Sequence, residues 1–109
     1  MEKRSIYIAG PMRGLPEYNY PAFNAAAAKL RADGWTVENP VELGAYLGTP
    51  DEINADEKRL NLLMAYERSI VGLCDAIYLL RGWENSEGAR LELRTALNLN
   101  LQVMLEQNP

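Results

Sequence analysis

Short apolar runs alternating with longer stretches of helical periodicity constrain this chain more than any other feature. The first run, SIYIA at Ser5–Ala9, is closed by Gly10-Pro11 and reads as a buried strand with a turn at its C-terminal end. Phe23, Ala26, Ala27 and Leu30 then recur at i, i+3, i+4 and i+7, one face of a helix that Pro21 opens and Gly34 stops. Residues 35–38 form a second strand ended by Asn39-Pro40, and residues 76–80 (AIYLL) a third, the most buried of the set. Between these two, residues 55–72 carry Leu60, Leu63, Met64, Ile70 and Val71 at helical spacing. Residues 41–54 are broken by Gly44, Gly48 and Pro50 and hold no long element. Ser86 is a good N-cap for a helix running to about residue 98, and Glu87 in its first turn suits the helix dipole. Residues 101–105 make a closing strand. This alternation predicts an α/β fold: a Rossmann-like three-layer sandwich with a four- or five-stranded parallel sheet, helices on both faces and right-handed crossovers. At 109 residues the chain is long enough for one domain and one core.

Charge and missing residue types narrow the chemistry. The net charge is −4, from 11 basic and 15 acidic residues, so the chain gains nothing from counterion release on DNA or RNA. There is no histidine, which excludes Ser-His-Asp and Cys-His nucleophile pairs and most zinc sites. Acid–base work then falls to carboxylates, lysine or tyrosine. The single cysteine, Cys74, has no internal partner and reads as core packing in a reducing compartment. No apolar run approaches the ~20 residues that span a bilayer, and residues 6–9 are too short for a signal peptide, so a cytoplasmic location is expected. The carboxylates lack metal-ligand spacing, and neither a metal nor a cofactor is implied.

In a sheet of this kind, ligands bind outside the carboxyl ends of the strands. The loop after strand one holds Gly10, Pro11, Met12, Arg13 and Gly14. Its glycines permit close backbone approach, and its arginine can fork onto a phosphate or carboxylate. The loop after strand two brings Asn39. The loop after strand three brings Trp83, which can stack on a flat ring, and then Ser86 and Gly88 at the positive end of a helix. Glu92 lies under two turns into that helix, where it can face the pocket from the wall. Tyr7 on strand one is placed to lend its hydroxyl to a buried carboxylate. Asp75 precedes strand three, on the far side from the expected ligand edge. The plainer alternatives are a tight turn with a solvated arginine, a solvated helix face for Glu92, packing for Tyr7 and Trp83, and a cap for Asp75.

Three stretches together resemble the nucleoside 2-deoxyribosyltransferase superfamily, which includes the 2-deoxynucleoside 5′-monophosphate N-hydrolases. They are IYIAGPMRG (residues 6–14), CDAIYLL (residues 74–80) and SEGARLEL followed by Ala96 (residues 86–96). The AGPM, GW and SEGA details are most similar to a small bacterial and phage branch of it. The resemblance implies that Glu92 is the nucleophile on the anomeric carbon, that Tyr7 orients it, and that Asp75 matches an acidic position of the superfamily. It implies a phosphate cradle of Ser86, Gly10 and Gly88 with Arg13 nearby, hence a nucleoside 5′-monophosphate rather than a free nucleoside. It also implies a homodimer or larger assembly. Where the superfamily often reads Glu-Leu-Gly, this chain has Arg94, a side chain that either crowds the pocket or reaches a partner.

The function expected is therefore cleavage or transfer of the base–deoxyribose bond of a nucleotide or nucleoside. Two alternatives stand beside it: a catalytically silent nucleotide-binding or sensing module, and a purely structural or protein-interaction domain.

Overall fold

A computed structural model describes residues 4–107; Lys3, in the basic start of the chain, lies outside them. The four strands are β1 (Ser5–Ala9), β2 (Thr36–Glu38), β3 (Ala76–Leu79) and β4 (Gln102–Leu105). They form one parallel sheet in the order β2-β1-β3-β4. The main helices are α1 (Tyr20–Ala32), α4 (Glu57–Val71) and α5 (Glu87–Asn98). The expected sandwich is the one observed, with four strands rather than five.

Period-two alternation along β1 divides the core into two layers. Ile6 and Ile8 face Phe23, Ala26, Ala27 and Leu30, the apolar stripe of α1, together with Tyr78 and Leu80. Tyr7 and Ala9 point the other way, towards Ile77, Leu79, Val71 of α4, and Ala89 and Ala96 of α5. A tyrosine on an otherwise aliphatic strand is thus carried beneath two helices with no access to water. Cys74 packs in the same layer, and burial raises its thiol to about 11, which keeps it unreactive.

Residues 41–54 contain no long element but are not structureless. Pro40–Leu43 is a single helical turn, α2, capped by Asn39, and Pro50–Ala55 is a short helix, α3. Thr49 accepts from the Glu52 amide and Glu52 accepts from the Thr49 amide, a reciprocal capping box with proline at the first helical position. That signal, Thr-Pro-Asp-Glu, was in the sequence.

Asp75 sits at the opposite edge of the sheet from the strands' carboxyl ends. Its Oδ2 accepts from the Ser5 amide at 2.8 Å and the Ser5 hydroxyl at 3.3 Å, tying the start of β1 to the start of β3. A carboxylate committed there cannot reach a ligand at the other edge, so the catalytic candidacy of Asp75 is withdrawn. Asp75→Asn is expected to cost up to about 1 kcal/mol in thermal unfolding and to leave ligand binding at the far edge unchanged.

Candidate functional site

Strand order reverses between β1 and β3, because the chain leaves β1 towards β2 on one side and returns to β3 on the other. At such a point the loops after the two strands part and leave a crevice. Here it is a cavity of about 340 Å³, within the range of small-molecule sites. Pro11, Met12 and Arg13 line it from the loop after β1, and Ser86, Gly88, Ala89 and Glu92 from α5. Leu60, Leu63, Met64, Glu67 and Arg68 come from α4, and Ile53 and Asn54 from α3.

Glu67 and Glu92 line the cavity and meet the Tyr7 side chain, buried behind them, in a three-residue polar cluster. The Tyr7 hydroxyl, wholly buried, donates to Glu92 Oε2 at 2.5 Å and lies 3.2 Å from Glu67 Oε2. Glu92 itself is only 8% exposed. Burial, then the Glu67 charge, pushes the Glu92 carboxyl well above its usual range, while the Tyr7 hydroxyl and Arg68 act against the shift. Burial also raises Glu67. Burial first, then the two carboxylates, lifts Tyr7 well above 10, so the phenol stays a donor. The carboxyls titrate as a unit and retain one proton where a solvated glutamate would hold none. A phenol has one hydrogen. With that hydrogen on Glu92, the Tyr7–Glu67 contact is a hydrogen bond only if Glu67 supplies the proton. Either carboxyl can carry the shared proton: the Tyr7 hydroxyl donates to the ionised one and accepts from the protonated one.

Glu67 was not singled out from sequence, yet a signal existed. Leu60, Leu63, Met64 and Val71 define the inward stripe of α4, and Glu67 falls within it at i+7 from Leu60. A carboxylate on an apolar stripe needs a partner, and only the fold reveals which one.

The other candidates divide. Gly10, Pro11, Met12, Arg13, Ser86, Gly88 and Glu92 meet at the cavity. Gly10 is glycine for a packing reason: a Cβ there would lie 2.7 Å from Leu80 Cβ. Gly14, at φ +79°, serves a turn and does not line the cavity. Asn39 is 2% exposed, donates to Asn24 Oδ1, accepts from the Val41 amide and does not line the cavity, where its neighbour Pro40 does. Trp83 packs against the core beneath α5 rather than facing the cavity, which removes it as a stacking surface. Arg94 is exposed on α5 and does not crowd the pocket.

Ser86 caps α5 by accepting from the Ala89 amide at 3.2 Å, leaving its hydroxyl proton free to donate. A Cβ on Gly88 would meet nothing closer than Ser86 Oγ at 4.0 Å, so the space above it is open. Gly88→Ala is accordingly expected to raise stability by about 0.5–1 kcal/mol through helix propensity while weakening ligand binding by filling that space. Thermal unfolding and titration with small-molecule phosphates read the two opposite effects.

Tyr18, which lines the cavity, donates its hydroxyl to Asp51 at the start of α3 at 2.5 Å. Among the described residues no group of three or more His, Cys, Asp or Glu side chains could hold a metal ion, and no helix is long and apolar enough to cross a membrane.

Residues 4–105 match the model of a family described as a domain of unknown function. No curated protein matches the chain.

Proposed function

The chain belongs to that family, DUF4406, and from the geometry of its cavity we propose that it is an N-glycosidase or deoxyribosyltransferase acting on a nucleoside 5′-monophosphate. The observation that carries this reading is the buried Tyr7 hydroxyl shared by Glu67 and Glu92, which line the cavity. Two carboxylates bound to one atom are too close to fit a water between themselves and a sugar, which takes a separation of ~6.5–9.5 Å. Their spacing suits the double-displacement route through a covalent intermediate. The resemblance to the nucleoside 2-deoxyribosyltransferase superfamily points the same way.

In the first step a Glu92 carboxylate oxygen bonds to the anomeric carbon as the carbon–nitrogen bond breaks. The electron pair leaves with the base nitrogen, which takes the Glu67 proton. In the second step Glu67, now ionised, removes a proton from water. The water oxygen bonds to the anomeric carbon and the ester bond to Glu92 breaks, restoring the starting proton arrangement. A second base in place of water gives transfer. Tyr7 aims Glu92 and, in the arrangement that leaves Glu92 ionised, donates its hydroxyl proton to it. Arg13, the Ser86 hydroxyl and the N-terminal amides of α5 supply the donors for a 5′-phosphate.

The test is incubation with the four deoxynucleoside 5′-monophosphates, following free base by chromatography. Release from at least one supports the reading and names the preferred base. No release from any, with saturable nucleotide binding, replaces it with a silent binding module. The same reading carries a cytoplasmic homodimer, which would bury apolar side chains left exposed on the surface, such as Leu62 and Leu73. Sedimentation of the purified chain as a monomer at micromolar concentration would overturn the dimer.

A further inference from the structure

With Trp83 packed into the core, the aromatic surface of the cavity has to come from elsewhere. Three aromatic side chains line it: Tyr18, Tyr20 and Phe23. Phe23 is 1% exposed, its faces taken up by the packing of α1 on the sheet. Tyr18 and Tyr20 are both half-buried. Their ring centroids stand 6.3 Å apart with the planes at 51°, a tilted contact at the spacing aromatic pairs favour.

The backbone is strained where it places Tyr18. Glu17, Tyr18 and Asn19 are three successive residues in the left-handed region, with φ of 54°, 53° and 61°. Residues other than glycine visit that region singly, and a bulky side chain is disfavoured there. A run of three persists only where its surroundings hold it. Here the Tyr18 amide donates to the Leu15 carbonyl at 3.0 Å, and Asn19 Nδ2 donates to the Pro11 carbonyl at 2.9 Å. The Tyr18 hydroxyl is tied in turn to Asp51 of α3. With its backbone and its hydroxyl both fixed, the Tyr18 ring is a brace for Tyr20. Tyr20 opens α1, and burial, then the Glu67 charge, raises its hydroxyl, so this ring stands near the carboxyl pair.

We propose that Tyr20, braced by Tyr18, is the surface on which a flat heterocycle of the ligand stacks. This rests on the function proposed above and deepens it: a base joined to an anomeric carbon over Glu67 and Glu92 lies beside the ring that stands near those carboxyls. An aromatic face is indifferent to the hydrogen-bonding edge of the base, since every base has a π-face. Discrimination should therefore follow ring size, with purines ahead of pyrimidines.

The test compares the Kd of each deoxynucleoside 5′-monophosphate with that of deoxyribose 5-phosphate, which keeps the sugar and the phosphate but has no base. Calorimetry on the full-length Glu92→Gln protein reads both without consuming ligand. The purine monophosphates should bind at least about tenfold tighter than deoxyribose 5-phosphate, the scale of base–aromatic stacking. Adding Tyr20→Leu should cut that ratio at least about fivefold, while Tyr20→Phe, which keeps the ring, should hold it within about twofold. Tyr18→Leu, which removes the brace, should lower the ratio by a smaller factor and decides the matter if Tyr20→Leu fails to fold. A purely structural role for Tyr20 would weaken both ligands together and leave the ratio intact. A ratio near one, or one that loss of the ring does not change, overturns the inference even where the wild-type protein releases base. Base-dependent affinity that follows the ring, without base release by the wild-type protein, upholds Tyr20 and removes the glycosidase reading alone. If neither ligand binds, the two fall together.

Discussion

Glu92→Gln is expected to lower base release by at least about 1,000-fold, roughly 4 kcal/mol of transition-state stabilisation, and at the same time to make the protein more stable. The first effect follows, on the proposed route, from replacing the proposed nucleophile with an amide that keeps its shape and its hydrogen bond from Tyr7. The second follows from burial. Glu67 and Glu92 both have their carboxyls raised in the folded state. A raised carboxyl contributes its full stability below the unfolded value, and that contribution is lost as pH climbs through the folded values. The wild-type protein should therefore weaken from about pH 5 upward as the pair is driven towards a double negative charge. Glutamine removes one of the charges. Its gain should be small at pH 5 and reach about 1–2 kcal/mol at pH 8, some 4–8 °C per kcal/mol in a domain near this size. Unfolding scans of the two proteins at both pH values check the trend. A variant that loses stability as pH rises in parallel with wild type would show that the pair is not the source. Activity should be bell-shaped in pH, since the route needs one proton on the pair, neither two nor none.

Gly10→Ala is expected to cost about 1–3 kcal/mol. Gly10 ends β1 where it passes closest to β3, and an added Cβ would lie 2.7 Å from Leu80 Cβ and 2.9 Å from its Cδ1. Leu80 is 1% exposed, and its amide donates to the Ala9 carbonyl at 2.9 Å, so the two chains cannot simply separate. A change of Leu80 rotamer relieves the Cδ1 contact but not the one to Cβ, which is fixed to the strand. The loop must lift instead, carrying Pro11, Met12 and Arg13 away from the cavity. Lower stability and weaker binding of nucleoside monophosphates should appear together, in contrast to Gly88→Ala, where they part. An unfolding midpoint and nucleotide affinity equal to wild type would show that the loop has slack that the packing does not reveal.

The strands and long helices were legible because each rests on a periodicity the residues carry themselves. SIYIA and AIYLL are too apolar to lie anywhere but inside a sheet. The stripe Phe23, Ala26, Ala27 and Leu30 is the buried face of α1 residue for residue. Ser86 caps α5 where its side chain and position suggested. Residues 41–54 were less readable, because Gly44, Gly48 and Pro50 speak against long elements more clearly than the capping box at Thr49 speaks for a short one. Roles that depend on partners far along the chain were the least readable. Asn39 and Trp83 sit in loops at the right edge, yet Asn24 and the core claim them first.

The sequence alone determined the layer architecture, the edge of the sheet where the cavity lies, and the candidacy of Tyr7 and Glu92, since alternation, capping and helix phase are local properties. Only the tertiary structure decided that Glu67 joins them. A lone glutamate on a helical stripe carries no record of what it will face. Residue 67 is brought to Tyr7, sixty positions earlier, and Glu92, twenty-five positions later, by the packing of α4 and α5 on one face of the sheet. The fold also turned Asp75 to the opposite edge, because the first residues of parallel strands cannot meet a site built at their last.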